Sequence, residues 1–224
     1  MPLTVIIPVL NEATGIAATL QCLQPMRSRA VEVIVVDGGS EDDTVSRATP
    51  LADRIILSAC GRAVQMNAGA SQATGDALWF LHADTLVPNN ADQMIMQALN
   101  NRSQNWGRFD VVITGNNRLL TVIAALMNWR SRLSGIATGD QGMFIKRSYF
   151  EAVGGFANIP LMEDIALSKN LKRLARPCCL SSTIQTSGRR WESNGIIRTI
   201  LLMWVLRAAY ALGVPPQRLK QFYG

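Results

Sequence analysis

Hydrophobic positions in this chain gather into short continuous runs rather than the alternation of half-exposed strands. Leu3–Leu10, Val31–Val36 and Ala77–Leu81 are apolar at almost every position, and polar residues follow each at once: Asn11 and Glu12, Asp37 to Ser40, His82 to Thr85. Such runs suit strands covered on both faces. Arg54–Leu57 supplies a shorter strand. Helix-spaced segments lie between: one capped by Asn11 and stopped by Pro25, one opened by the capping-box pair Ser40 and Asp43, one over Arg62–Ala73, and one after Pro88. Strand then helix, four times over, predicts an α/β fold with a parallel sheet flanked by helices. Open sheets of this class bind ligands outside the carboxyl ends of their strands, where the polar residues cluster.

The second half continues with a strand over Trp106–Thr114, a helix over Arg118–Ser134, an amphipathic helix from Met162 to about Arg176 and a last strand over Cys178–Gln185. Ile196–Val214 follows, apolar around its circumference, with Arg198 and Arg207 about 180° apart at 100° per residue. An Arg at the centre of an inserted helix costs roughly 2.5 to 3.5 kcal/mol against about 0.3 to 0.6 returned per large aliphatic, so Arg207 argues against spanning. The pattern therefore predicts a domain over 1–192 and an apolar, basic C-terminal helix over 193–224, covered by a membrane surface or by a second copy of the chain in a homo-oligomer. The run Leu119–Met127, flanked by Arg118, Arg130 and Arg132, is too short to span. It reads as a packing helix or as a second membrane-surface contact.

Composition narrows the choices. A chain of 224 residues, 48% hydrophobic, can bury one substantial core. The net charge of +6 conceals an acidic first half and a basic second half, −5 over residues 1–100 and +11 over 101–224. The basic half suits phosphates or an anionic membrane surface, but no module or aromatic-basic stripe supports nucleic-acid binding. Four cysteines without CxxC spacing point to a reducing compartment. The N-terminus lacks the features of a signal peptide. The expected location is cytoplasmic, peripheral on the inner face of the membrane.

The strand-end residues carry the candidate chemistry. Asp84 with His82 suggests a divalent metal, or else Asp84 caps the helix after Pro88. Asp37-Gly38-Gly39-Ser40 is either turn chemistry or a carboxylate for a base or ribose, with glycines that admit the ligand to the backbone. The basic loop Gly188 to Trp191 could neutralise a diphosphate or face solvent. The dinucleotide fingerprint GxGxxG and the P-loop pattern are both absent, which removes the main support for hydride transfer and for ATPase chemistry.

The ordered segments IIPVLNE, VIVVDGGSEDDT, GRAVQMNAGA, GDALWFLHADT, GDQGMFIKR and MEDIAL resemble the family 2 glycosyltransferases of the GT-A fold, over roughly residues 3 to 192. The resemblance implies a mixed, mostly parallel, Rossmann-like sheet, and an inverting transfer of a sugar from a nucleoside diphosphate donor, expected to be UDP-linked, to an acceptor hydroxyl that could be lipid-linked. It places Pro8, Asn11 and Glu12 at the floor of the nucleotide pocket, Asp37 on the base with Gly39 beside it, and the Arg62 to Gly69 segment, including Asn67, along the nucleotide sugar, with Arg62 at the diphosphate. Asp84 matches the last Asp of the family's DxD metal motif, for Mn2+ or Mg2+. His82 stands where the first Asp is usual, which shifts preference towards manganese. Asp140 and Gln141 match positions near the donor sugar or acceptor, though a turn explains them equally well. Asp164 matches the general base. Glu163, its neighbour, cannot share its helix face and is assigned to orienting other groups. Arg190 and Trp191 fall near the processive enzymes' QxxRW, but Gln185 stands too far from them for that spacing, two residues out of register, so chain polymerisation is not expected. The alternative is a nucleotide-sugar-binding or membrane-scaffold protein without efficient turnover.

Overall fold

The structure is a computed structural model describing residues 1–101 and 103–223, without the side chains of Arg190, Ser193 and Asn194. The first half runs β1 (Leu3–Val9), α1 (Ile16–Arg27), β2 (Glu32–Asp37), α2 (Thr44–Ala48), β3 (Arg54–Leu57), α3 (Arg62–Gln72), β4 (Ala77–Phe80), β5 (Thr85–Leu86) and α4 (Ala91–Asn100). The second runs β6 (Trp106–Thr114), α5 (Leu119–Ser134), β7 (Phe144–Lys146), α6 (Arg147–Ala152), α7 (Glu163–Leu174), β8 (Cys178–Ser187), α8 (Arg189–Asn194), α9 (Ile196–Ala211) and α10 (Pro216–Tyr223). One sheet has the order β3-β2-β1-β4-β7-β6-β8-β5. Its first four strands are mutually parallel, as the repeated strand-helix pattern predicts, and β7 is antiparallel to both β4 and β6.

Continuous apolar runs are explained by two cores. Val5, Ile7, Val33, Val35 and Trp79 face Leu20, Leu23, Ile95 and Leu99 of α1 and α4. The alternate residues Ile6, Ile34, Val36, Leu78 and Phe80 face Ala63, Met66, Ala70, Phe150 and Leu167 of α3, α6 and α7. The approach of α3 is close enough that a Cβ on Gly69 would stand 2.5 Å from Ile6 Cγ2.

The sheet must curl. From Phe80 to Thr85 the chain reaches at most about 18 Å even when fully extended. The strands β7, β6 and β8 nevertheless lie between β4 and β5, a flat span of about 19 Å at about 4.8 Å per strand. The connection also turns on itself, with Thr85 N–H donating to the His82 carbonyl. Curling brings β8 round to pair with β5, and so wraps the sheet about the loop His82–Asp84.

Several local expectations are corrected. Pro25 lies inside α1: fully buried Met26 and the Ser28 N–H, donating to the Gln24 carbonyl, carry the last turn past it. Asn11 caps no helix, since α1 starts five residues later. It adopts a left-handed φ of 54° and its Oδ1 accepts from Glu41 N–H, tying the first loop to the second. Ser40 donates its hydroxyl to Asp37 instead of capping α2, which begins after Asp43. Asp84 caps nothing either, for α4 begins at Ala91 behind Asn90.

The C-terminal helices are present and pack in part against the preceding domain. Leu206 and Leu219 pack with Leu161, Met162 and Ile165 at the start of α7, and Trp191, Ile196 and Ile200 pack on Ile113, Leu120 and Ile123. The packing therefore continues across the boundary expected at residue 192. No helix among the described residues is long and apolar enough to cross a membrane.

Candidate active site

The carboxyl ends of the parallel strands open into a cleft of about 1150 Å³, roofed by α5, α9 and α10. Pro8, Glu12, Arg62, His82, Asp84, Asp140, Glu163, Asp164 and Trp191 line it, so the structure brings these sequence candidates together.

At one end, Glu12 and Asp84 face each other from neighbouring strand ends. Burial, then the negative charge of Asp84, pushes the Glu12 carboxyl above its usual range, against the pull of Arg189. Arg189 Nη2 lies 3.7 Å from Glu12 Oε2, and its Nη1 donates to Thr14 Oγ1. Arg189 was visible in the sequence only as one member of a basic loop. The side chain of Arg190 lies outside the described residues.

At the other end, α7 starts from Met162 in a left-handed conformation, φ 70°, which carries Glu163 and Asp164 into the cleft together. Both acids line the cleft from the first turn of α7 but meet different partners there. Glu163, 4% exposed, pairs with Arg62 at 3.5 Å. Burial works against the Arg62 charge, but Glu163 and the more distant acids outweigh it and raise its pKa. Asp164 Oδ2 accepts from Gly139 N–H at 2.9 Å and Oδ1 from Ile165 N–H at 2.7 Å. Burial, reinforced by Glu163, pushes its carboxyl up to about 6.

His82 connects the two ends. Its Nδ1 lies 3.1 Å from Asp140 Oδ1, and its Nε2 is buried without a hydrogen-bond partner among the described residues, facing Gly139. A Cβ on Gly139 would stand 2.4 Å from that nitrogen, so only glycine fits. Both imidazole nitrogens are thus turned towards the Gly139–Asp140 turn. This leaves Asp84 as the strand-end metal candidate with Glu12 nearby. Among the described residues no three side chains form a metal-ligand cluster, so a metal here would complete its coordination from a ligand. The crowded Glu12 and Asp84 carboxylates fit that role, since a cation would relieve their repulsion.

Other expected residues lie off the cleft. Asp37 is buried and its carboxylate accepts from Gly39 N–H, Ser40 N–H and the Ser40 hydroxyl, so it organises the loop. Gly39 permits that loop with φ 96° and is exposed. Asn67 bridges the backbone of Phe156 through both amide atoms, and fully buried Gln141 closes a capping box with Thr138. Asn67 and Gln141 hold their turns because buried backbone groups require partners. Gln65 was missed by the sequence reading. Its Nε2 donates to the carbonyls of Val9 and Val36, stitching together the ends of β1 and β2 beneath the cleft. A buried glutamine on an otherwise apolar helix face is the only signal it offers.

Comparison with known proteins agrees with this geometry. The model of the family "Glycosyl transferase family 2" matches residues 4–154. An uncharacterised glycosyltransferase of Mycobacterium tuberculosis is 32% identical over 205 residues, covering 83% of this chain and 73% of the relative. Among solved structures, a mannosyltransferase from Pyrobaculum calidifontis in complex with GDP-Man and Mn2+ superposes with TM-score 0.63 at 21% identity, over 82% of this chain and 56% of that one. TarS of S. aureus (residues 1–349) with UDP-GlcNAc gives 0.67 at 16%, over 84% and 58%. Glucosyl-3-phosphoglycerate synthase from Mycobacterium tuberculosis, with Mn2+, UDP and phosphoglyceric acid, gives 0.62 at 18%, over 83% and 69%. The chain spans little more than half the length of the first two of these structures, and at such identities the likeness shows the fold, which is GT-A. By the family match and by a relative aligned along most of its length, this chain belongs to glycosyl transferase family 2.

Proposed function

We propose that the chain is an inverting, non-processive glycosyltransferase that moves a sugar from a nucleoside diphosphate sugar, UDP-linked, to an acceptor hydroxyl at the cytoplasmic face of a membrane. The observation that carries this reading is the line of contacts Asp164, Gly139, Asp140, His82, which joins a carboxylate held at about 6 to the strand end bearing Asp84. A general base poised near neutrality and a cation-accepting carboxylate at opposite ends of one cleft suit displacement of a diphosphate by a hydroxyl.

Asp164 accepts the proton of the acceptor hydroxyl at Oδ1 or Oδ2 as that oxygen forms its bond to the anomeric carbon. The bond from that carbon to the diphosphate oxygen breaks on the opposite face, and its electron pair leaves with the diphosphate. Arg189, paired with Glu12 at the Asp84 end, would bind diphosphate oxygens, and Arg62, paired with Glu163, would meet the donor from the Asp164 end. Mn2+ or Mg2+ held by Asp84, with ligands also from the donor, would supply charge neutralisation for the leaving diphosphate. Complexes of neighbouring structures with Mn2+ and with UDP or UDP-GlcNAc support this choice of donor and metal.

The deciding experiment incubates the protein with UDP-sugars and a panel of hydroxyl acceptors, with Mn2+ or with a chelator, and follows UDP release and product by mass spectrometry. Metal-dependent product of inverted configuration is expected. Selective donor binding without any transfer or donor hydrolysis would instead support the binding-protein reading.

A further inference from the structure

Asp164 is held by the loop 137–141, and that loop is itself gripped from two helices. Ser168 stands one turn beyond Asp164 on α7, so the two side chains share a face of the helix. The Ser168 hydroxyl donates to the Ala137 carbonyl at 3.1 Å, while its Oγ accepts from Ala137 N–H at 3.1 Å. Two residues further along the loop, Gly139 N–H donates to Asp164 Oδ2. Successive turns of α7 thus hold successive parts of the loop, which fixes both its position along the helix and its tilt.

The second grip comes from α5. Asn128 Oδ1 accepts from Val111 N–H at 2.9 Å and Nδ2 donates to the Val111 carbonyl at 3.0 Å, so the amide docks on β6 as a neighbouring strand would. The same Oδ1 accepts from Gln141 Nε2 at 3.3 Å, and Arg108 Nη2 donates to the Asn128 carbonyl at 3.1 Å. Gln141 Oε1 in turn accepts from the N–H of Thr138, the residue before Gly139. Ser168, Gln141 and Arg108 are all fully buried. Burying such polar groups costs free energy that apolar residues of like size would avoid, so packing alone does not call for them. Ser168, Asn128 and Gln141 converge on the loop whose glycine donates to Asp164.

We infer that Ser168 and Asn128 are positioning residues for Asp164: Ser168 directly, and Asn128 through Gln141, lock the loop 137–141 so that Gly139 N–H points at the Asp164 carboxylate. Neither side chain lines the cleft, so each acts through the loop. The inference rests on the reading of Asp164 as the general base and adds the groups that aim it.

The test is a carbon-13 titration of the Asp164 carboxyl in the full chain, with the signal assigned by its loss in Asp164→Asn. Glu163 beside it, Arg62 on α3, Arg130 on α5 and Tyr210 on α9 are the charged and titratable groups coupled to this carboxylate, and Asp140 follows Gly139 in the loop. All of them are kept in the variants. Burial and Glu163 hold the carboxyl at about 6 while the Gly139 N–H pulls it down, so wild type should titrate near that pH. Ser168→Ala and Asn128→Ala should each titrate about one pH unit higher, since a hydrogen bond to the charged form is lost. Thr4→Val is the control for stability alone: it removes buried hydrogen bonds to Glu32 and Gly75 at the far end of the sheet and should leave the midpoint unchanged. Where an alanine variant does not fold, Ser168→Cys or Asn128→Leu keeps the volume while weakening or removing the same bonds, and the same rise is expected. In transfer assays, kcat should fall about tenfold or more with little change in UDP affinity. An unchanged Asp164 midpoint in the folded variants, or an equal rise in Thr4→Val, overturns the inference. Failure of the proposed function would show separately, as wild-type protein whose Asp164 titrates near pH 6 but which transfers no sugar.

Discussion

His82 Nδ1 lies 3.1 Å from Asp140 Oδ1, across the cleft floor from where the chain would hold a metal, and Asp140 directly follows the glycine whose N–H holds Asp164. His82 thus holds, through Asp140, the turn whose Gly139 N–H donates to Asp164. Four residues in a row thereby link the strand end that bears Asp84 to the first turn of α7.

Asp164→Asn is expected to fold and to bind UDP while losing about 10²- to 10⁴-fold in transfer, since the amide keeps the shape but accepts no proton. Steady-state kinetics beside UDP calorimetry checks both halves. Near-normal turnover would move the base to another residue.

Burial and Glu163 raise Asp164 from 3.8 to about 6, so the ionised base is present above that pH and is lost as pH falls through it. Transfer should decline below about pH 6, with about a tenth of the base ionised one unit lower. The inflection should vanish in Asp164→Asn. The sign for stability is opposite: a raised carboxylate pKa costs the folded state stability at neutral pH, and the cost fades as pH falls from about 6 towards 3.8.

Asp84→Ala should abolish the metal-dependent part of donor binding. It should also return the Glu12 pKa towards its ordinary value, because the Asp84 charge helps raise it. Titration of Mn2+ against UDP affinity measures the first effect. Retained Mn2+-dependent binding would remove Asp84 from the metal site.

Gly139→Ala puts a Cβ 2.4 Å from His82 Nε2, so either the imidazole or the turn must move. Displacing the turn lengthens the hydrogen bond from Gly139 N–H to Asp164. Transfer is expected to fall at least tenfold, while UDP affinity changes little, as proximity effects are steep near the reacting atoms. Unchanged kcat would show that the turn does not position the base.

Gln65→Leu leaves the Val9 and Val36 carbonyls without their buried donor and should destabilise the fold by about 1 to 3 kcal/mol. A denaturant titration reads the loss directly. No shift in midpoint would mean that water replaces the amide.

The first four strands and their order of appearance were legible because both faces of the sheet are covered there, so these strands are almost continuously apolar, whereas the short β5 and β7 were not expected. Trp106–Thr114 was bounded correctly from the sequence, and Ala77–Leu81 to within one residue. Polar residues at strand ends likewise pointed to Glu12 and Asp84, and the family resemblance to Asp164, all three of which line the cleft. The hydrogen bonds by which Asp37, Asn67 and Gln141 hold their own loops were not legible, because they depend on backbone geometry that no local pattern encodes. Pro25 misled for a related reason: tertiary burial of Met26 holds the helix past a residue that would end it in isolation. The docking of α9 was missed since an apolar circumference says that a helix is covered but not by what.

The curled sheet makes the loop His82–Asp84 hostage to the far end of the chain. Thr85, immediately after Asp84, pairs with Thr186 in β8. During synthesis, β1, β2, β3 and β4 can therefore assemble on the ribosome while His82–Asp84 still lacks the strand that pins its exit. Nucleotide-binding competence should then appear late and abruptly in a series of stalled nascent chains, once β8 has cleared the exit tunnel, rather than growing as each strand-helix unit emerges.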